Sequence, residues 1–523
     1  MKTIKSLVLG SAAGLLAMGG AQAADLPVKA KAVEYVRVCS LYGAGFFYIP
    51  GTDTCIKLGG YLRVDTSFNT NGVQDQPAWA GDSGQGNRYR DYFSTRSRLA
   101  LTVDTRTATE YGVVRTFGQA DFQFDTLGGS TFNPNSLQTN LGNNGNLLNS
   151  AGGGYTAVEM GFIQFAGFTF GRSASAYATP WHGYPGNNSS NLLGGHDTVT
   201  GVNNIQYSAQ FGNGVSGTIG LDDPTVYNRT SVYNLALGLN ATGTTGNAYA
   251  GVHSPDIVGN IRIDQAWGLF QLSAAAHEVN GSYNSLTSSG GGAVPNALSE
   301  ISGHPDTKWG GSVMAALNIK NIPTGAGDDI KIDATYAKGD TKNVISTSGA
   351  SPSFAMFSGS GNGAYQSVGF GATTDGVYLP GVGGTGGIKL TEAYGVRGAF
   401  NHNWDPYWSS SLFGSYSAVR YNGAVGDLTT AKGAYCANYG TGVAGQGVTY
   451  TCNPDFNISQ LGVITRWTPV KNLTFSAEVM WTHLDQKFAG TATLTPSAPK
   501  PTAVYEFKDQ DTVSFNVRAQ RNF

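Results

Sequence analysis

Along most of the chain, runs of about ten residues alternate apolar and polar side chains and are separated by turns or by Gly/Asn/Ser-rich stretches. Period-2 alternation places successive side chains on opposite faces of a strand. The clearest run closes the chain. Val513, Phe515, Val517 and Ala519 fall on one face, opposed by Thr512, Ser514, Asn516, Arg518, Gln520 and Asn522, and Phe523 is the last residue. Only Arg521 interrupts the apolar face, and near a strand end its long stem lets the charge reach a polar boundary. The same reading sets Leu62 and Val64 against Tyr61, Arg63 and Asp65. It sets Leu99, Leu101 and Val103 against Arg96, Arg98, Thr102 and Asp104, and Ala120, Phe122 and Phe124 against Arg115, Gln119, Asp121 and Gln123. Runs of this kind number 16, near 56–69, 90–104, 109–125, 155–165, 168–173, 202–211, 214–222, 257–266, 267–278, 309–319, 328–340, 389–401, 407–421, 457–467, 472–485 and 504–523.

After the first two dozen residues no apolar run reaches the length of about 20 that a spanning helix needs. A membrane sheet has to close on itself, because lipid offers the backbone no hydrogen bonds. The pattern therefore predicts an all-β fold, a transmembrane antiparallel β-barrel of about 16 strands with apolar side chains toward lipid and polar ones toward the lumen. Turns such as Ala166-Gly167 and Gly212-Asn213-Gly214 suit the periplasmic side, and the long polar loops 126–154, 279–308, 341–388 and 422–456 suit the outside. These loops read as too poor in apolar residues for cores of their own. Leu235, Leu237 and Leu239 alternate within 231–251, a candidate extra hairpin.

Composition agrees with a membrane wall. Charged residues make up 13% of the chain, aromatics 11%, and Gly 74 of 523 positions; soluble domains carry about 25% charge and roughly 7% Gly. Lys2 and Lys5, the apolar stretch Leu7 to Met18, and Ala21-Gln22-Ala23 have the form of a cleaved signal peptide, residues 1–23, which leaves 24–523 as the mature chain. Without those two lysines, 30 basic residues face 34 acidic ones. That balance lacks the clustered basic footprint of a nucleic-acid binder. Cys39 and Cys55, and Cys436 and Cys452, stand 16 residues apart. An even count in an exported chain favours two local disulfides, although sequence does not fix connectivity. With no CxxC and no neighbouring His pair, no metal site is expected.

A barrel of this size has a water-wide lumen, so selectivity requires a constriction. Phe170-Gly171-Arg172 opens into 173–201, which holds Pro180, Trp181, His182, Tyr184, Pro185, His196 and Asp197 and is stiffer than the Gly-rich loops. This segment is the candidate inward-folded loop. Arg63, Arg96, Arg98 and Arg115 sit on the polar faces of the first three runs. On the lipid face an arginine near the midplane would cost roughly 2–4 kcal/mol, so the lumen is preferred. The candidate constriction set is Arg63, Arg96, Arg98, Arg115, Asp121, Arg172, His196 and Asp197. A basic wall against an acidic loop would create a transverse field that sorts solutes by charge. The plainer alternative is that the arginines pair with Asp65, Asp104 or Asp121 within the wall. Asp222-Asp223, Asp328-Asp329 and Asp509-Asp511 have calcium-type oxygen ligands, but such pairs are also common solvated turn residues. No G-x-S-x-G elbow, H-E-x-x-H, P-loop or strand-to-helix G-x-G-x-x-G is present, so neither an enzyme nor a cofactor is expected. Three functions remain in view: a non-specific diffusion channel, a sugar-type selective channel with Tyr177, Trp181 and Tyr184 as an aromatic track, and a barrel enzyme or adhesin using the long outer loops.

The opening Val38-Cys39-Ser40-Leu41-Tyr42-Gly43-Ala44-Gly45-Phe46-Phe47-Tyr48, continuing through Cys55 to Gly59-Gly60-Tyr61, resembles that of the alphaproteobacterial (rhizobial-type) general porins. So do Ser97-Arg98-Leu99 with Thr109-Glu110-Tyr111-Gly112, the run Phe162-Ile163-Gln164-Phe165-Ala166-Gly167-Phe168-Thr169-Phe170-Gly171-Arg172, and the ending Gln520-Arg521-Asn522-Phe523. The middle, roughly 225–450, is similar in architecture only. The resemblance implies a homotrimeric passive pore in the cell outer membrane, passing small hydrophilic solutes and ions, with an inward loop after the Gly167-to-Arg172 run. It also implies contact with outer-membrane lipids and lipopolysaccharide, and recognition by the barrel assembly machinery through Phe523. The chain departs from the family pattern in the length of 279–308 and 341–388 and in the Cys436/Cys452 pair.

Overall fold

The computed structural model describes residues 37–70, 92–125, 155–195, 198–225, 229–289, 292–345, 353–361, 363–381, 386–442, 449–496 and 498–523. The proposed signal peptide, the whole of the loop 126–154, and His196 and Asp197 lie outside these described residues.

Sixteen antiparallel strands form one closed wall. The first eight are β1 Thr54–Phe68, β2 Phe93–Thr109, β3 Gly112–Asp125, β4 Tyr155–Phe165, β5 Phe168–Ser173, β6 Val202–Gly212, β7 Val215–Asp222 and β8 Asp256–Gln265. The rest are β9 Gly268–Val279, β10 Lys308–Lys320, β11 Asp329–Lys338, β12 Glu392–Asn403, β13 Trp408–Arg420, β14 Phe456–Val470, β15 Leu473–Gln486 and β16 Gln510–Asn522. Each pairs with its sequence neighbours, and β16 closes on β1 in a register running from Tyr61 opposite Asn522 to Phe68 opposite Phe515. Every wall strand is bonded on both sides, the condition lipid imposes. All the predicted runs lie in this wall, with ends displaced by a few residues. The exception is the last: its first part, Ala503–Phe507, belongs to a separate sheet, and β16 begins at Gln510.

The alternation sets sidedness as expected. On β2, Leu99, Leu101 and Val103 are exposed on the outer face while Arg96 and Arg98 are 3% and 5% exposed on the inner one. Arg521 bends to donate to the carbonyl of Lys471 in the adjoining turn, which resolves the one break in the closing strand. At Ala166-Gly167 both residues have positive φ, 48° and 86°. Their twist matches that of the strands they join, as in the favoured two-residue hairpins.

The outer loops read as too poor in apolar residues for cores of their own, yet several of them share one. Connections 223–255, 339–391, 421–455 and 487–509 together form a cap over the mouth. Its five-stranded sheet orders Phe354–Ser358, Gln366–Gly371, Ala503–Phe507, Ala489–Leu494 and Thr449–Thr451. A helix, Ala431–Gly442, lies with it and is fastened by the Cys436–Cys452 disulfide. The phenol of Tyr435 donates to the Gly243 carbonyl at 2.6 Å, and that of Tyr439 to the Ala241 carbonyl at 3.1 Å. One buried apolar cluster joins Leu235, Phe354, Phe370, Tyr435, Phe488 and Phe507 to the rim residues Val419, Phe456 and Leu484. No single connection holds enough apolar surface, but four pooled ones do. The alternating leucines of 231–251 add nothing to the wall. Ser231–Asn234 pairs in parallel with Thr374–Tyr378 in a small outer sheet, and Leu235 and Leu239 enter the cap core.

At the opposite end Cys39 and Cys55 form the expected local disulfide. The strand Phe47–Tyr48 pairs there with the foot of β1, and Phe46 packs on the bridge.

Candidate functional site

The connection from β5 to β6 does not leave the barrel. It runs along the inner face, away from the strands that carry it, and the wall satisfies its backbone at each step. Ser175 donates to Asp222 on β7 at 2.5 Å. Asn260 on β8 donates to the Ala176 carbonyl at 2.6 Å, and Gln271 on β9 to that of Ala178 at 2.7 Å. Farther on, Asn401 on β12 donates to the Pro185 carbonyl at 3.0 Å and Arg466 on β14 to that of Gly186. Glu478 on β15 accepts from the Asn188 amide at 2.5 Å and from the Ser189 hydroxyl at 2.7 Å. Arg518 on β16 donates to the Asn188 carbonyl at 2.9 Å. Gln460 on β14 accepts from the Leu193 amide at 2.7 Å and donates to the Asn191 carbonyl at 2.9 Å.

Apolar contacts supplement these bonds. Tyr177 and Trp181 are buried with Val258, Met314 and Ala316, and Leu192 with Ala399, Phe413, Ile464 and Met480. Leu193 reaches the cap core. Close approach explains two glycines. A Cβ at Gly186 would stand 2.5 Å from that of Ala399, and one at Gly194, where φ is +151°, would stand 2.7 Å from Cδ of Arg397.

The arginines predicted from sequence sit on the inner face, and most are matched to carboxylates. Arg96 meets Asp65 at 2.8 Å, and the same Asp65 accepts from Arg518 at 2.5 Å. Arg98 meets Asp121 at 2.6 Å and Glu159 at 3.5 Å. Arg172 donates to the Glu159 carbonyl at 3.2 Å, beside the end of the inward segment, where Gly201 donates to that same oxygen. Arg63 donates to Gln520 at 2.8 Å and stacks over the Tyr61 ring; it has no ion-pair partner among the described residues. Arg115 stands apart, near the short turn after β2, where it meets Asp104 at 3.0 Å. Arg63, Arg96, Arg98, Asp121 and Arg172 are thus brought together, and Arg115 is not.

The expected opposition of basic wall and acidic loop is not the arrangement found. From 173 to 201 the only carboxylate in the sequence is Asp197, outside the described residues. The acids that meet the arginines belong to the wall itself. Sequence reading missed Arg397, Gln460, Arg466, Glu478 and Arg518, of which Arg397 pairs with Asp333 at 3.0 Å. Their signal was the one used for the first strands, a charged or amide side chain at an inward register, and it extends to β12–β16. Between the inward segment and the short turns lie two cavities. One, of about 400 Å³, is bounded by Trp181, Arg262, Asp264, Lys320 and Lys331; the other, of about 240 Å³, by Tyr184, Asn187, Asn401 and Arg466. The acid pairs do not gather as ligands: Asp328 accepts from Thr324, His402 and the Asn403 amide, while Asp222 faces Ser175.

A closed wall, apolar outside and polar inside, with a segment folded along its inner face, defines an outer-membrane β-barrel of the porin type. The chain belongs to the porin subfamily, whose family model matches residues 25–516. Porin Omp2b of Brucella abortus (strain 2308) is 35% identical over 270 residues, 51% of this chain and 63% of the relative. Porin Omp2b of Brucella suis biovar 1 is 35% identical over 268 residues with the same coverage. The match therefore spans less than two thirds of these relatives. The outer membrane channel DcaP of Acinetobacter baumannii shares the fold at a TM-score of 0.52 and 14% identity, covering 91% of this chain and 99% of that one.

Proposed function

We propose that the protein is a passive, water-filled channel for small hydrophilic solutes and ions, narrowed by the segment 173–201 and carrying out no chemical step. The observation that carries this reading is the fastening of Pro185 to Leu193 onto β12–β16, far around the wall from the strands the segment joins. In this reading the conducting path runs past the arginine-rich face of β1–β4. The lining we propose for it is Arg63, Arg96, Arg98, Asp121 and Arg172, with His196 and Asp197, which lie outside the described residues, kept as candidates from the sequence alone. Because most of those charges are paired, selectivity between ions is expected to be modest.

The sugar-selective alternative is disfavoured by the aromatics it needs. Tyr177 and Trp181 are 1% and 7% exposed and anchor the segment, and Trp181 and Tyr184 border two different cavities rather than one continuous track. Assembly as a homotrimer among outer-membrane lipids and lipopolysaccharide, with Phe523 read by the barrel assembly machinery, belongs to the same proposal. Single-channel conductance with a panel of salts and sugars tests it. Conductance that scales with bulk ion mobility and no saturable block by any sugar is expected; saturable block by one sugar would overturn it.

A further inference from the structure

We propose that His277 is the centre of a proton-dependent clasp that holds the outer connections onto the barrel rim. The imidazole lies on β9 and is fully buried. Its Nδ1 is 2.6 Å from Oδ1 of Asp256 on β8, and its Nε2 is 2.9 Å from the phenol oxygen of Tyr249. That phenol donates to Oδ2 of Asp375 at 2.9 Å. A phenol has one proton. With that proton directed at Asp375, its oxygen accepts from Nε2–H, while Nδ1–H is directed at Asp256, so the ring is an imidazolium. Were the phenol to turn toward Nε2, Asp375 would need a proton to face the phenol oxygen. Wherever it resides on the path Asp256–His277–Tyr249–Asp375, the path holds one proton more than neutral imidazole and two carboxylates supply.

Asp375 is where that proton acts on the fold. Its carboxylate accepts from the Thr230 amide at 3.0 Å and from the amide and hydroxyl of Thr341 at 2.7 and 2.9 Å. Thr230 belongs to the connection after β7, Thr341 to that after β11, and Asp375 to the strand Thr374–Tyr378, which leads toward β12. Two outer connections, 223–255 and 339–391, therefore meet on one buried oxygen pair, and Tyr249 and His277 join that pair to the wall.

The other carboxylates of the site act in the same sense. Asp222 is the register partner of Asp256. Asp340, after β11, is buried and held by Ser312 at 2.6 Å and Asn343 at 2.9 Å. Glu278, beside the histidine in sequence, turns to the amides of His253 and Ser254. Cations are few: the Arg229 guanidinium lies 4.1 Å from the Tyr249 ring centroid, and Lys342 is buried in the turn with Thr341. Burial pushes the Asp340 carboxyl up to about 7. A carboxyl raised on folding contributes stability at low pH and loses it as pH rises through the folded value. Withdrawing the proton from the His277 path leaves one of its contacts without a hydrogen: Nε2 against the phenol oxygen if the phenol stays on Asp375, or Asp375 against it if the phenol turns. Both changes loosen the clasp on alkalinisation.

Limited trypsinolysis of the folded barrel in detergent tests this, with cuts at Arg229 and Lys342 read by mass spectrometry. Rates at about pH 6 and about pH 10 are normalised to an unstructured reference peptide, and retained barrel mobility on unheated gels confirms the fold. Wild type is expected to be cut at least about tenfold faster at the higher pH, the change that one unit of differential protonation supplies. His277→Gln should be cut faster than wild type at the lower pH, so that the ratio falls well below the wild-type one, to what Asp340 alone supplies. If His277→Gln does not form a barrel, Tyr249→Phe, outside the wall, is expected to show the same reduced ratio. Equal wild-type rates at the two pH values, or a folded variant that keeps the wild-type ratio, would overturn the proposal.

Discussion

Wall and cap are both made of β-strands, yet they turn their apolar side chains in opposite directions. On the wall, Leu62, Leu101, Ile261 and Val463 are exposed, and the inner register is polar or charged except where residues such as Met314 and Ile464 seat the inward segment. In the cap, Phe370, Tyr435, Phe488 and Phe507 face one another and are buried. Lipid stabilises the first arrangement and only mutual packing stabilises the second. Substitutions should therefore separate the two regions: a cavity damages the cap, and a charge on the outer face damages the wall.

The largest separation is expected from Phe370→Ala. This ring lies 4.9 Å from Phe488 and 5.7 Å from Tyr439, centroid to centroid. Truncation should cost the cap about 3–5 kcal/mol. Protease sensitivity of the outer connections should rise, while the barrel keeps its resistance to unfolding in detergent. A matching loss of barrel resistance would mean that wall and cap unfold as one unit. Val463→Arg should do the reverse, costing the wall roughly 2–4 kcal/mol near the midplane, as read from denaturant unfolding in lipid vesicles. Removing the Cys436–Cys452 bridge with paired serines should weaken the cap by up to about 3 kcal/mol on a chain-entropy view. Here too the wall should be unaffected. The last prediction is read in conductance, with retained barrel mobility as the check on folding: Arg96→Gln with Arg98→Gln leaves Asp65 with Arg518 and strips the buried Asp121 of its arginine. Reversal potentials in a salt gradient should then move toward cation selectivity, and unchanged selectivity would remove these arginines from the conducting path.

The same contrast explains what could be read from the chain. Wall strands declare themselves locally, because period-2 alternation is complete within each run, and β16 is legible from Val513 to Ala519 alone. Cap strands alternate as well, which is why Ala503–Phe507 merges with the closing strand in a linear reading. Their burial depends on partners far away: Tyr505 pairs with Gln366 across the sheet, and Tyr435 bonds to Gly243. Nothing within 341–388 or 422–456 announces that these segments share a core.

The inward segment falls between these cases. Its composition marked it, but its landing site did not, because Gln460, Glu478 and Arg518 are ordinary inward residues until the segment reaches them. The wall arginines were legible as inward-facing. Their pairing with Asp65, Asp121 and Glu159 follows from strand register, and that could be settled only with neighbouring strands aligned.

The most direct test of the channel reading replaces Gly186–Leu193 with a short Gly-Ser linker and compares single-channel conductance and solute size exclusion with the parent. A folded barrel that conducts more and admits larger sugars is the expected result. A folded barrel with the parent's conductance and exclusion limit would show that the segment fastened to β12–β16 does not set the width of the pore.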